Sequence, residues 1–208
     1  MSQHAGARGK LAVFRAWIAR AASDRRGVAA VEFALVAPLL LCMYFVTMEV
    51  SQAIETSKKV SRVSSMVADL VTQQSTTSVA DIKAIMQIGH TLLTPYYRSE
   101  PVIHVTAIEI TTDTPPKAKV FWSRQLLSGN VEKPDLTKGD IVSIPTALKT
   151  PGSFLVRVTT NLGYRSVIAW TAAADRPAGL IAIMDPINME ETYYLRPRMS
   201  SQITCADC

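Results

Sequence analysis

Three patterns of hydrophobic and polar positions succeed one another along the chain. Between Val28 and Met48 apolar residues fall on every side of any helix drawn through them, Glu32 is the single charge, and only Pro38 breaks the run from Phe33 to Val46. At about 1.5 Å per residue this span reaches roughly 31 Å, the thickness of a bilayer core, so it predicts a membrane-spanning helix. Proline removes one backbone donor there and predicts a kink, which a membrane helix tolerates when neighbours satisfy the freed carbonyl.

The second pattern is amphipathic. Val60, Val63, Val67 and Leu70 recur at spacings of three, four and three, while Lys58, Lys59, Arg62 and Asp69 face away. That stripe predicts that the membrane helix continues into solvent as one long helix. A polar break spans Gln73 to Thr77. Ser78 and Asp81 then have the spacing of a capping box, opening a second helix through Leu92 or Leu93 that Pro95 and Tyr96 end.

Beyond residue 100 the period becomes two. The segment 101–112 reads as a strand whose apolar phase slips near Ala107, the mark of a bulge. A second strand, 117–126, places Ala118, Val120 and Trp122 on one face. The cleanest is 153–164, with Phe154, Val156 and Val158 inward and Arg157 and Thr159 outward. Ser128 to Gly152, rich in Gly, Pro, Lys and Asp, reads mostly as a long loop. The segment 191–205 supplies a last strand that Pro197 breaks or confines to an edge. The expected class is α+β: a long N-terminal transmembrane helix, a second helix and an antiparallel sheet in a small head. The expected divisions are 1–27, 28–50, 51–94 and 95–208, with neither repeats nor low-complexity tracts.

Charge sharpens this division. The first 27 residues carry Arg8, Lys10, Arg15, Arg20, Arg25 and Arg26 against Asp24 alone, and the remainder holds sixteen bases and sixteen acids. A neutral body lacks the electrostatic footprint of a nucleic-acid binder, and no finger, P-loop or RNA-binding motif occurs. In the basic leader Leu11, Phe14, Trp17, Ile18 and Ala21 share a helical face, so it reads either as a membrane-surface helix or as a solvated targeting tail. Secretory cleavage at Ser51-Gln52-Ala53 is the rival reading, and the apolar segment is long for it.

Candidate chemistry is sparse. No nucleophile elbow, metal-ligating histidine pair or phosphate-cradling glycine loop is present, and His90 and His104 stand isolated. No cofactor, metal or catalytic residue is assigned, although carboxylates paired by folding lie beyond such a reading. Cys42 falls in the apolar segment, and Cys205 and Cys208 form a C-x-x-C pair. Neither the context of a redox motif nor two further zinc ligands accompanies that pair, which favours a small disulfide in an oxidising compartment over free thiols. Glu32 is the pointed residue. A carboxylate at a helix centre in hydrocarbon costs on the order of 2.5 to 3.5 kcal/mol, so it either reaches headgroups at the membrane edge or has a partner.

Arg25-Arg26-Gly27 followed by Val28-Ala29-Ala30-Val31-Glu32-Phe33 resembles the processing site of type IV pilin-like proteins. Within them "VAAVEFALVAPLLL" is most similar to the TadE/TadG-like minor pseudopilins of tight-adherence (Flp-type, type IVb) pilus systems, and "LRPRMSSQITC" resembles the Arg-Pro-Arg and terminal Cys pattern common there. The resemblance implies cleavage by prepilin peptidase between Gly27 and Val28, making Glu32 the fifth mature residue. It implies pairing of Glu32 with the new amino group of Val28 on a neighbouring subunit, with Ala29, Ala30, Ala34 and Ala37 allowing close helix approach. The implied partners are prepilin peptidase, other pilins or pseudopilins, the tight-adherence assembly machinery and the inner membrane. The implied placement has a cytoplasmic amino terminus and a periplasmic head, in the membrane or in an extracellular fibre. The alternatives are an unprocessed, single-pass anchored periplasmic binding domain and an anchored enzyme whose site the fold assembles.

Overall fold

The computed structural model describes residues 27–93, 99–127, 131–166 and 187–208. The leader, with Arg25 and Arg26, and the helix stop at Pro95 and Tyr96 lie outside the described residues. The chain divides into two compact units, Met1–Met48 and Glu49–Cys208.

Helix α1 runs from Val28 to Thr72 with Pro38 inside it. In the first unit its side chains are exposed throughout except for half-buried Ala37 and Met48. Phe33 is 72% exposed and Leu35 73%, values that no core helix would show. The helix is long and apolar enough to cross a membrane, and none of its apolar window is buried by protein. This is an all-round apolar surface with no protein partner among the described residues.

The second unit is built on the amphipathic stripe. Val60, Val63 and Val67 are fully buried, and Ala68 and Val71 extend the same face. The chain then passes through a two-residue strand, β1, Thr76–Thr77, into α2, Val79–Leu92. The Ser78 side chain caps α2 by accepting from the Asp81 amide, while the Asp81 carboxylate accepts from the Ser78 amide. Ile82, Ile85 and Met86 of α2 join the core of the stripe. The helices meet at Gly89, where an added Cβ would lie 2.7 Å from Val67 Cγ2 and 3.1 Å from Val63 Cγ1.

Five strands form the sheet: β2 Val102–Ile110, β3 Ala118–Leu127, β4 Val131–Pro134, β5 Phe154–Tyr164 and β6 Ile187–Leu195. They lie in the order β4-β3-β2-β5-β6, and every neighbouring pair is antiparallel. Ile103, Val105 and Ala107 of β2 face the helices, with Val156 and Val158 of β5. The fold is therefore α+β, with a helix pair on one face of an antiparallel sheet.

The bulge corrects one expectation about faces. Ala107 pairs with Trp122 but Ile108 pairs with Val120, so Phe121 is an extra residue on β3. The alternation of β3 reverses there. Trp122 enters the helix-facing core, whereas Ala118 joins Ile108, Ile110, Ile144 and Leu155 in a second cluster. Ala118, Val120 and Trp122 thus do not share a face, because a bulge shifts the two-residue period by one.

Two further departures concern the loops. The segment expected to be mostly loop carries β4 at the sheet edge, a bridge from Ile141 to Lys119 and a helical turn at Thr146–Leu148. The last strand of the sheet starts at Ile187, earlier than expected, and ends two residues before Pro197. Glu190 and Glu191 interrupt its apolar alternation, which hides it in the sequence. Residues Thr204–Cys205, β7, leave the sheet and pair in parallel with β1, inside the polar break.

Gly89→Ala gains helix propensity but drives a methyl into stiff Val67, so its net effect is a loss of about 1 to 2 kcal/mol of stability in denaturant unfolding. An unchanged or raised midpoint would show that the helices do not meet as closely as described.

Candidate functional site

The first turns of α1 bring the candidate residues together by local geometry alone. Val28 and Glu32 are four residues apart and share one face; Ala30, Ala34 and Ala37, at spacings of four and three, share another. Gly27 begins the described chain with nothing near the place of a Cβ. Glu32 and Phe33 are exposed, as are Ala29, Ala30 and Ala34. A helix with a carboxylate on one side and small residues on the other is suited to packing among other helices.

A second carboxylate sits where the apolar segment ends. Glu49 is 8% exposed, and its Oε1 accepts a 2.6 Å hydrogen bond from the Tyr164 hydroxyl at the end of β5. Local pattern does not single this residue out. Its only sequence signal is a charge just past an apolar run, with its tyrosine partner 115 residues away at the end of a strand.

The outer face of the sheet gathers a polar group of a different kind. His104 Nδ1 lies 3.0 Å from Asp135 Oδ2, and that oxygen also accepts from Ser123 Oγ at 3.4 Å. Ser123 Oγ is itself 3.1 Å from Thr106 Oγ1. The carboxylate stands between serine and histidine, an order that leaves the hydroxyl without an adjacent imidazole base. His90 pairs with Glu100 at 3.1 Å on another surface. These are satisfied polar contacts of the kind that holds strands and loops together.

The tail forms the densest polar arrangement. Arg198 donates its amide to Thr72 O at the end of α1 and pairs with Asp69 at 2.6 Å. Ile203 is fully buried, and its carbonyl accepts from Trp122 Nε1 at 2.8 Å. Cys205 and Cys208 are disulfide-bonded, with Cα atoms 5.4 Å apart. Asp207 Oδ1 accepts from the Val79 amide at 2.7 Å, adding to the Ser78 cap at the start of α2. Arg124, 8% exposed on the helix-facing side of β3, donates through Nη2 to Asp207 O and Cys208 O, each at 3.2 Å. Its Nη1 lies 3.4 Å from Glu132 Oε1, a charge contact rather than a hydrogen bond.

Cys205, Asp207 and Cys208 present donor atoms within 4.8 Å of one another, but both sulfurs are committed to the disulfide and only a carboxylate remains as a ligand. Arg124 is a second residue that motif and composition leave unmarked. Two positions after Trp122 and two before Leu126, it sits in phase with buried residues, and a charge in that phase is itself a signal.

No curated protein and no solved structure matches the chain. One family does: residues 27–69, which begin at the glycine before α1 and run through the exposed apolar segment into the core-facing stripe, match the family described as TadE-like protein.

Proposed function

We propose that the chain is a minor pseudopilin or assembly protein of a tight-adherence pilus, processed by prepilin peptidase between Gly27 and Val28. The observation that carries this reading is the TadE-like match, which begins at Gly27 and spans the exposed apolar part of α1. The role is structural: a helix that lodges in the inner membrane, or among the helices of other pilins, carrying a head into the periplasm.

Electrostatics supports the order of events. Before cleavage, six bases against one acid keep the leader in the cytoplasm by the positive-inside rule. Arg25 and Arg26 precede the scissile bond and Phe33 follows the glutamate, completing the motif. Cleavage then removes the leader and leaves an ammonium on Val28 at a helix N-terminus, where the helix dipole already disfavours positive charge. A carboxylate beside it offsets both. Glu32 of a neighbouring subunit supplies that partner, and each charge relieves the other's burial. Ala29, Ala30, Ala34 and Ala37 permit close approach of other helices in the same bundle.

Intact mass of the protein from native membranes tests the processing step. The expected chain begins at Val28; one beginning at Met1 or Ser2 would instead support an unprocessed anchor whose head binds a partner. The pairing has its own test. Glu32→Leu should still be cut, yet its recovery with other pilus subunits should fall on the order of a hundredfold or more, the scale of removing one partner from a buried charge pair. Normal recovery of the processed variant would remove the pairing idea.

A further inference from the structure

We propose that Cys205 and Cys208 are a thiol-oxidation site whose closure latches the tail onto the head, with a disulfide-bearing oxidant closing it and a dithiol opening it. The inference is independent of the pilus reading. Four contacts depend on where residues 205–208 lie. Cys205 pairs with Thr77, Ala206 donates its amide to Thr77 O, Asp207 accepts from the Val79 amide, and the carbonyls of Asp207 and Cys208 converge on one nitrogen of Arg124.

That convergence is the telling feature. Oxygens of two consecutive residues reach a single Nη2, and both residues belong to the small ring that the disulfide closes between positions three apart. Arg124 is nine-tenths buried; among the described residues its Nε has no partner, and its charge contact with Glu132 is at 3.4 Å. A guanidinium held this way relies on the tail for its hydrogen bonds, and an unmet buried charge is unfavourable. Opening the ring frees the last residues, withdraws two acceptors from Arg124 and removes the carboxylate from the first amide of α2.

Cys208 is exposed and Cys205 half-buried, so a co-reactant meets Cys208 first. In closing, the Cys208 thiolate attacks the oxidant's disulfide, forming a mixed disulfide and releasing one thiolate. The Cys205 thiolate then displaces the second. Two electrons pass to the oxidant, whose two sulfurs leave with the two protons that the cysteines gave up. A dithiol reverses both steps and leaves as a cyclic disulfide.

The test uses the full chain in detergent micelles with Cys42, the third cysteine, changed to Ser. Amide hydrogen exchange is followed before and after dithiothreitol, with alkylation counting thiols. Reduction should yield two alkylated thiols and speed exchange at Val79 and Ala206 at least about fivefold, the scale of a lost helix cap. Exchange at Val105 and Val156 should stay unchanged. Cys205→Ser with Cys208→Ser should reproduce the fast exchange without reductant. Arg124→Gln should speed it in the oxidised protein but add little after reduction. Should Arg124→Gln fail to fold, the comparison on the unaltered tail decides alone. Unchanged exchange on full reduction, uniform acceleration through β2 and β5, or two free thiols after incubation with oxidised glutathione would each overturn the latch.

Discussion

One helix has to satisfy two solvents. The first part of α1 is apolar on every side and among the described residues finds no protein to cover it, while the part beyond Met48 is apolar along one stripe and is covered by α2 and the sheet. The hydrophobic effect drives both outcomes. An all-round apolar surface is stable only away from water, whereas a stripe is satisfied by folding a layer over it. Within the second unit, α2 and the sheet are that layer.

Covering the stripe sets most of the head's architecture. Val60, Val63 and Val67 need a close partner, and Gly89 lets α2 approach within the thickness of a methyl group. The sheet presents Ile103, Val105, Val156 and Val158 to the same core. Several polar groups at this core are met individually: Ser64 donates to Glu191 O, Ser61 lies 3.0 Å from the Tyr193 hydroxyl, and Trp122 donates to the tail. The tail meets both helices, at the end of α1 through Arg198 and at the start of α2 through Asp207. The Arg-Pro-Arg segment and the terminal cysteines thus have structural roles of their own, apart from any role of the apolar part of α1.

The sequence is readable where physics is local. Helix periodicity in 58–70, the Ser78 and Asp81 box and the alternation of 153–164 each depend on neighbours within a few residues, and each element is present. The phase slip near Ala107 is visible, but its location on the opposite strand is not, since Phe121 becomes extra only once β2 and β3 are paired. The parallel pairing of Thr76–Thr77 with Thr204–Cys205 joins segments 128 residues apart and leaves no local trace. Tertiary hydrogen bonding likewise makes Glu49, Arg124 and Asp207 important. The Gly27 to Phe33 segment is read in another way, by its resemblance in order and spacing to a pilin-like processing site, and the cleavage drawn from it is a proposal.

If the first part of α1 lives out of water, Cys42 reports on it. Its side chain is exposed in the isolated chain, and the other two cysteines are bonded to each other. Native membranes treated with a water-soluble maleimide should leave Cys42 unlabelled, while the same protein unfolded in denaturant without reductant should take up one label. Equal labelling of Cys42 in intact membranes would place this segment in water and rule out both a bilayer and a helical bundle as its surroundings.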